Sequence, residues 1–197
     1  GFEPAGGGYA EYVRVMGVCL PGVVRIPDGN SFEEAAMLEP VNTVLKAVRR
    51  LGVQRGDQVL VAGQGPIGLI FTRLLELEGA RVFTSDLLPE RLRLAKRWGA
   101  SSAFRADLPD LGRRLARAAG RQGLDAAVLA VPSNAALQQA FAAIRGGGRV
   151  LLFALTRRGD REPLDLAGIC VDEKDVIGSY SADITLCLLY TSPSPRD

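Results

Sequence analysis

Gln58-Val59-Leu60-Val61-Ala62-Gly63-Gln64-Gly65-Pro66-Ile67-Gly68 is the stretch whose reading decides the fold. It opens on a continuous apolar run, the mark of a strand buried on both faces of a parallel sheet. Beyond it Ile67, Ile70, Phe71, Leu74 and Leu75 recur at helical spacing until Gly79. The turn between strand and helix reads G-x-G-x-x-G, and in that setting each glycine has a task. Gly63 makes the tight turn, Gly65 lets the backbone approach a pyrophosphate, and Gly68 allows the helix to pack closely on the strand. Pro66 and Ile67 open the helix and are read with the glycines as cofactor-binding residues, since the helix N-terminus supplies amide hydrogens and a partial positive charge.

A bare glycine match is weak, so the following strand matters. Arg81-Val82-Phe83-Thr84-Ser85 ends at Asp86, 18 residues past Gly68. A carboxylate there can accept both ribose hydroxyls of an adenosine. The same charge repels a 2′-phosphate, which favours NAD over NADP. The competing reading is a glycine turn followed by an aspartate that merely caps the helix before Pro89. Arg91 either lays its guanidinium on the adenine face or is one more solvated charge beside Arg93, Lys96 and Arg97. Val131 and Phe153 end later strands, on the edge where open α/β sheets bind ligands, and either flank the cofactor or only end strands.

Working outward, strand and helix patterns alternate. After the helix opened by Pro89 and ended by Gly99 come a short strand at Ser102-Ala103-Phe104 and a basic helix from Leu108 to Ala119. Then follow a strand from Ala126 to Val131, a helix from Asn134 to Ile144, a strand from Arg149 to Ala154 and an edge-strand candidate from Asp175 to Ser179. Such alternation predicts βαβ units and an α/β, Rossmann-type doubly wound parallel sheet. Upstream, Tyr9 to Val15 and Val23 to Pro27 are expected to be strands. Ser31 and Glu34 form a capping-box signal, and the helix it starts should be divided by Pro40 and stopped after Leu51 by Gly52. Arg113, Arg114, Arg117 and Arg121 at helical spacing read as a wet face rather than a phosphate track.

Composition narrows the chemistry. Of 197 residues, 47% are hydrophobic, and 24 basic against 22 acidic residues leave a net charge of +2. No electrostatic footprint for nucleic acid or an anionic membrane is present. There is no histidine, which excludes a Ser-His-Asp triad, a Cys-His pair and a histidine-liganded zinc within this chain. Cys19, Cys170 and Cys187 lack any Cys-x-x-Cys spacing, so a reducing, cytoplasmic setting fits best, and Cys19 and Cys170 are expected as small core residues. No signal peptide or membrane span is read. Glu39 sits before Pro40 in a mainly apolar helix; from spacing alone an exposed capping carboxylate and a metal ligand both stand, since a buried carboxylate needs a partner.

These residues together resemble the zinc-dependent sorbitol, threonine and alcohol dehydrogenase group of the medium-chain dehydrogenase/reductases. The likeness runs through Gly7-Gly8-Tyr9-Ala10-Glu11-Tyr12-Val13, Leu38-Glu39-Pro40, Gly56-Asp57-Gln58-Val59, the glycine turn, Asp86 with Arg91, Trp98-Gly99-Ala100 and Gly147-Gly148-Arg149-Val150. The resemblance implies a two-domain enzyme, a GroES-like β-barrel holding catalytic zinc and a Rossmann domain holding NAD(P). Residues 1–41 would then be the tail of the barrel domain and 42–186 the Rossmann domain. Residues 187–197, which resemble translated vector sequence, would be a non-native tail. Glu39 matches the family's acidic position at or near that zinc, and Thr43 a position lining the nicotinamide side. The family's cysteine and Gly-His-Glu zinc ligands are not in the chain, so the catalytic residues are unknown and this polypeptide is expected to lack turnover by itself. The implied parent oxidises a small alcohol or polyol, or reduces the carbonyl, as a homo-oligomer. A zinc-free quinone or enone reductase and a non-catalytic nucleotide-binding module are the alternatives.

Overall fold

The structure is a computed structural model that describes residues 8–120, 123–154, 156–183 and 185. Its elements are α1 (Phe32–Ala36), α2 (Leu38–Leu51), β1 (Gln58–Ala62), α3 (Pro66–Leu77), β2 (Arg81–Asp86), α4 (Pro89–Arg97) and β3 (Ser102–Arg105). They continue with α5 (Leu111–Ala119), β4 (Leu124–Leu129), α6 (Asn134–Ala143), β5 (Ile144–Leu152), α7 (Leu166–Cys170) and β6 (Asp175–Gly178). The chain divides into two compact units. One is Thr43–Ser181, and the other joins residues 8–42 to 182, 183 and 185.

The larger unit holds a six-stranded sheet in the order β3-β2-β1-β4-β5-β6. All five strand pairs are parallel, as the βαβ alternation predicts. The apolar run at β1 becomes a central strand because both of its faces are covered and Val59, Leu60, Val61 and Ala62 are buried. Leu60, Phe83, Leu111, Leu115, Leu124, Ala127, Phe141 and Val150 make one core cluster. Val59, Val61 and Val82, alternating with these along the strands, are buried on the other face. There α3 packs on β1 and β2 with Phe71 and Leu75 fully buried. Each such side chain contributes roughly 1.5–3 kcal/mol by leaving water.

Register aligns the carboxyl ends of the inner strands. Ala62 lies beside Ser85 and Leu129, and Leu129 beside Leu152, so the residues that follow β1, β2, β4 and β5 emerge along one edge of the sheet. The strand order runs from β1 outward in both directions, to β2 on one side and β4 on the other, and the opening between such diverging crossovers is where open α/β sheets take ligands.

Several boundaries differ from expectation. β4 ends at Leu129, not Val131: Ala130 still donates its N–H to the Ala62 carbonyl at 2.9 Å, and Val131 turns off the sheet. β5 starts at Ile144, directly after α6, because Leu124 pairs with Ile144 before a register shift returns Ala126 to Arg149. The short helix α7, capped by Asp165 accepting the Ala167 N–H at 3.0 Å, was not expected.

In the smaller unit the capping box forms as read: Ser31 Oγ accepts the Glu34 N–H at 3.2 Å and Glu34 Oε2 accepts the Ser31 N–H at 2.9 Å. The helix divides at Met37, and Pro40 sits in the first turn of α2, where its missing N–H costs nothing. The two expected strands before it do not form. Residues 8–16 and 23–27 carry no strand and Gly17–Gly22 is a 3-10 helix. Alternation creates a strand only where a partner supplies ladder hydrogen bonds, and here Tyr9, Tyr12 and Val13 are exposed. Asn42 bonds residue 183 in both directions, donating to its carbonyl at 3.1 Å and accepting its N–H at 2.8 Å. No helix among the described residues is long and apolar enough to cross a membrane. The segment 187–197 and Arg121 lie outside the described residues.

Candidate dinucleotide site

The three glycines of the turn differ in what demands them. Gly63 has φ +91°, and a Cβ there would lie 3.0 Å from the Val131 Cβ and 3.2 Å from the Ala130 carbonyl. Its N–H donates to the Ser85 carbonyl at 2.8 Å, tying the turn to the end of β2. At Gly68 a Cβ would stand 1.9 Å from the Gly63 carbonyl oxygen, so helix and turn touch backbone to backbone. Gly65 is different. It is the N-cap of α3 at φ −70°, ψ −174°, a conformation any residue adopts, and a Cβ would meet only Arg91 Nη1 at 4.0 Å. The protein itself requires Gly63 and Gly68, whereas Gly65 keeps open space at a helix N-terminus. That is the fit a pyrophosphate requires.

Asp86 ends β2 with only 7% of its surface exposed. Its Oδ2 accepts the Gln64 N–H at 2.6 Å and its Oδ1 accepts the Leu88 N–H at 2.9 Å. Arg91 Nη1 stands 3.7 Å from Oδ2. A carboxylate has about four acceptor positions, so two amides leave capacity for a diol. Asp86, Gly63, Arg91 and Val131 share the wall of one cavity of about 500 Å³, whose apolar surface comes from Leu87, Leu88, Ala106 and Ala136. An apolar slot with a few convergent polar groups is the usual make-up of a nucleoside pocket. The capping alternative for Asp86 also has a bond in its favour, that to Leu88, but a cap alone does not account for the cavity or for Gly65.

Val131 also borders a second cavity of about 240 Å³ with Phe153, Ala154 and the segment around Asp160 to Glu162. The Phe153 ring meets Phe71 edge-on at 4.9 Å. Pro66 is exposed at the first position of α3 and Ile67 is half-buried. Thr43 is buried in α2 and borders neither cavity.

Gln64 was not picked out by sequence reasoning, yet it is fully buried. Its carboxamide donates to the Val61 and Gly63 carbonyls at 3.2 and 3.0 Å and accepts the Thr72 hydroxyl at 2.9 Å. The available signal was Thr72 itself, a hydroxyl on the apolar face of α3.

Arg113, Arg114 and Arg117 are exposed on α5, and Arg114 pairs with Asp110 at 2.9 Å, which agrees with the wet-face reading. Cys19 and Cys170 are exposed, a correction to the expected core positions: one lies in the 3-10 helix Gly17–Gly22 and the other ends the five-residue helix α7 at the surface. Glu39 is exposed in the first turn of α2. The residues present do not make a zinc site. The chain has no histidine, and among the described residues no group of three or more His, Cys, Asp or Glu is placed to hold a metal ion.

Comparison with known proteins adds the lineage. A family model described as zinc-binding dehydrogenase matches residues 66–186. The chain belongs to the zinc-binding dehydrogenase family. Sorbitol dehydrogenase from Bacillus subtilis strain 168 is 30% identical over 178 residues, which is 90% of this chain and 49% of that protein. A short chain alcohol dehydrogenase from E. coli CFT073 complexed with cofactor NADH superposes with a TM-score of 0.76 at 23% identity, over 84% of this chain and 49% of that one. A protein from Sinorhizobium meliloti 1021 bound to NADP superposes with a TM-score of 0.72 at 24% identity, over 82% and 50%. At these identities the likeness establishes the fold alone. This zinc-binding dehydrogenase chain spans about half the length of the curated relatives it matches.

Proposed function

We propose that the chain is the cofactor-binding part of an oxidoreductase that passes hydride between a secondary alcohol or polyol and NAD. The observation that carries this reading is the pair of Gly65, whose missing Cβ serves no packing need, and Asp86, whose carboxylate walls the adjacent cavity. NAD supplies the hydride acceptor at its nicotinamide ring. The chain's own residues bind and orient it: the α3 N-terminus faces the pyrophosphate, Asp86 takes the ribose hydroxyls, and Leu87 and Leu88 offer apolar surface to the adenine. Arg91 stands beside Asp86 and closes the pocket over the base. Val131, Phe153 and Thr43 are assigned to the nicotinamide half.

Substrate and catalytic zinc belong, in this reading, to a second domain of which residues 8–42 with 182, 183 and 185 are part. Glu39 is proposed as a carboxylate near that zinc. Relatives that oxidise sorbitol and butanediol support the polyol assignment. The intact enzyme is proposed to be a cytoplasmic homo-oligomer.

Titration of the 197-residue chain with NAD and NADP tests the reading. NAD should bind more tightly, and Asp86→Asn should weaken NAD by about tenfold while improving NADP, since each lost charge-assisted bond is worth on the order of a factor of ten. Preference of the unaltered chain for NADP would overturn the Asp86 assignment.

A further inference from the structure

Gln64 lies between the first two glycines of the turn, and its side chain points away from the cofactor cavity. Three hydrogen bonds hold its buried carboxamide. Nε2 donates to the Val61 carbonyl, next to the end of β1, at 3.2 Å and to the Gly63 carbonyl at 3.0 Å; Oε1 accepts the hydroxyl of Thr72, two turns into α3, at 2.9 Å. One side chain therefore ties strand, turn and helix together from behind. The Gly63 carbonyl is the same oxygen against which Gly68 is packed, so its direction is held on two sides. That direction fixes the plane of the peptide joining Gly63 to Gln64. The N–H of that peptide is the one that donates to Asp86 Oδ2 at 2.6 Å.

We propose that Gln64 and Thr72 form a positioning pair that sets the orientation of the Asp86 carboxylate, and through it the discrimination between NAD and NADP. The proposal rests on the reading of Asp86 given above. If the pair is lost, the peptide can rock and the carboxylate loses the bond that aims Oδ2. Both consequences act on the same ratio. Ribose hydroxyls are held less well, and a 2′-phosphate is repelled from a less definite position, so NAD affinity falls more than NADP affinity.

Binding of NAD and NADP to the 197-residue chain, measured by titration for each variant, tests this. Gln64→Met keeps volume and removes the hydrogen bonds; Thr72→Val is close in shape and removes the hydroxyl; Thr72→Ser retains it. The NADP-to-NAD ratio of dissociation constants should fall by about five- to tenfold in Gln64→Met and by a smaller factor in Thr72→Val, the scale of one weakened hydrogen bond between Asp86 and the ribose. Thr72→Ser should keep the ratio of the unaltered chain. A purely packing role lowers the unfolding temperature but leaves the ratio unmoved in both Gln64→Met and Thr72→Val, and that result would overturn the proposal. If Gln64→Met does not fold, the Thr72 pair of variants decides. Failure of the unaltered chain to bind either nucleotide would instead overturn the underlying assignment of Asp86, whereas NAD binding with a constant ratio overturns only the positioning role.

Discussion

Gly65 and Gly68, three residues apart in one turn, make opposite predictions. An alanine at 68 would drive its Cβ to 1.9 Å from the Gly63 carbonyl oxygen, a backbone atom that cannot step aside. Gly68→Ala should therefore cost about 3 kcal/mol or more, at the upper end of ordinary overpacking, seen as a drop in the urea midpoint. An alanine at 65 finds allowed backbone angles and open space. Gly65→Ala should cost no more than about 1 kcal/mol, the scale of exchanging a favoured N-cap residue for alanine, while weakening NAD by at least about tenfold. Its unfolding temperature without NAD should fall far less than that of Gly68→Ala, and saturating NAD should raise it less than it raises that of the unaltered chain. Equal NAD binding by Gly65→Ala would show that no ligand backbone approaches this turn. The tasks of the three glycines could be read from the motif; that a Cβ is shut out at Gly63 and Gly68 and has open space at Gly65 required distances.

Among the elements, α1 depends most on a local device, since five residues make too short a helix to persist without help. The capping box supplies it. The Ser31 N–H and, second, the Asn30 side chain hold the Glu34 carboxyl below its ordinary pKa of 4.5. Because the folded value is depressed, the contribution is fully present above 4.5 and is lost as pH falls through the folded value. The Ser31 amide signal should therefore lose its hydrogen-bonded shift in the acid range below 4.5. Glu34→Gln, which retains the reciprocal bond without the charge, should abolish that pH dependence. A Ser31 signal that titrates equally in both proteins would refute the assignment. The larger elements draw on distant parts of the chain. Arg149 of β5 donates to the Leu51 and Gly52 carbonyls that end α2, a cap no inspection of residues near 51 would have suggested.

At the scale of the molecule, β6 leaves one sheet edge with a partner on its inner side alone among the described residues, since it pairs only with β5. Val176 lies on that strand and Leu166, Val171 and Tyr180 nearby in sequence, all exposed. An open edge with apolar side chains invites pairing with another strand, which makes it the candidate contact of the proposed homo-oligomer. Val176→Lys, a charge of the kind natural edges use to block pairing, should shift the chain toward monomer in sedimentation without lowering NAD affinity. A chain that is monomeric before the substitution removes this edge as the proposed contact.

What the sequence determined by itself was the part governed by short-range chemistry. A continuous apolar run, a glycine turn and an amphipathic helix specify the start of a βαβ unit because the run suits a strand covered on both faces and a 3.6-residue period suits a helix, and β1 and α3 formed where the pattern placed them. Asp86 could be named because the strand that carries it ends at a fixed distance from the turn. The tertiary structure alone decided what depends on partners. Tyr9 to Val15 alternates like a strand yet forms none, since alternation describes side chains whereas a strand needs backbone partners. Gln64 looked like spacer between glycines until Val61, Gly63 and Thr72 converged on it, for a buried amide acquires a role only from the carbonyls and hydroxyls that folding brings within reach.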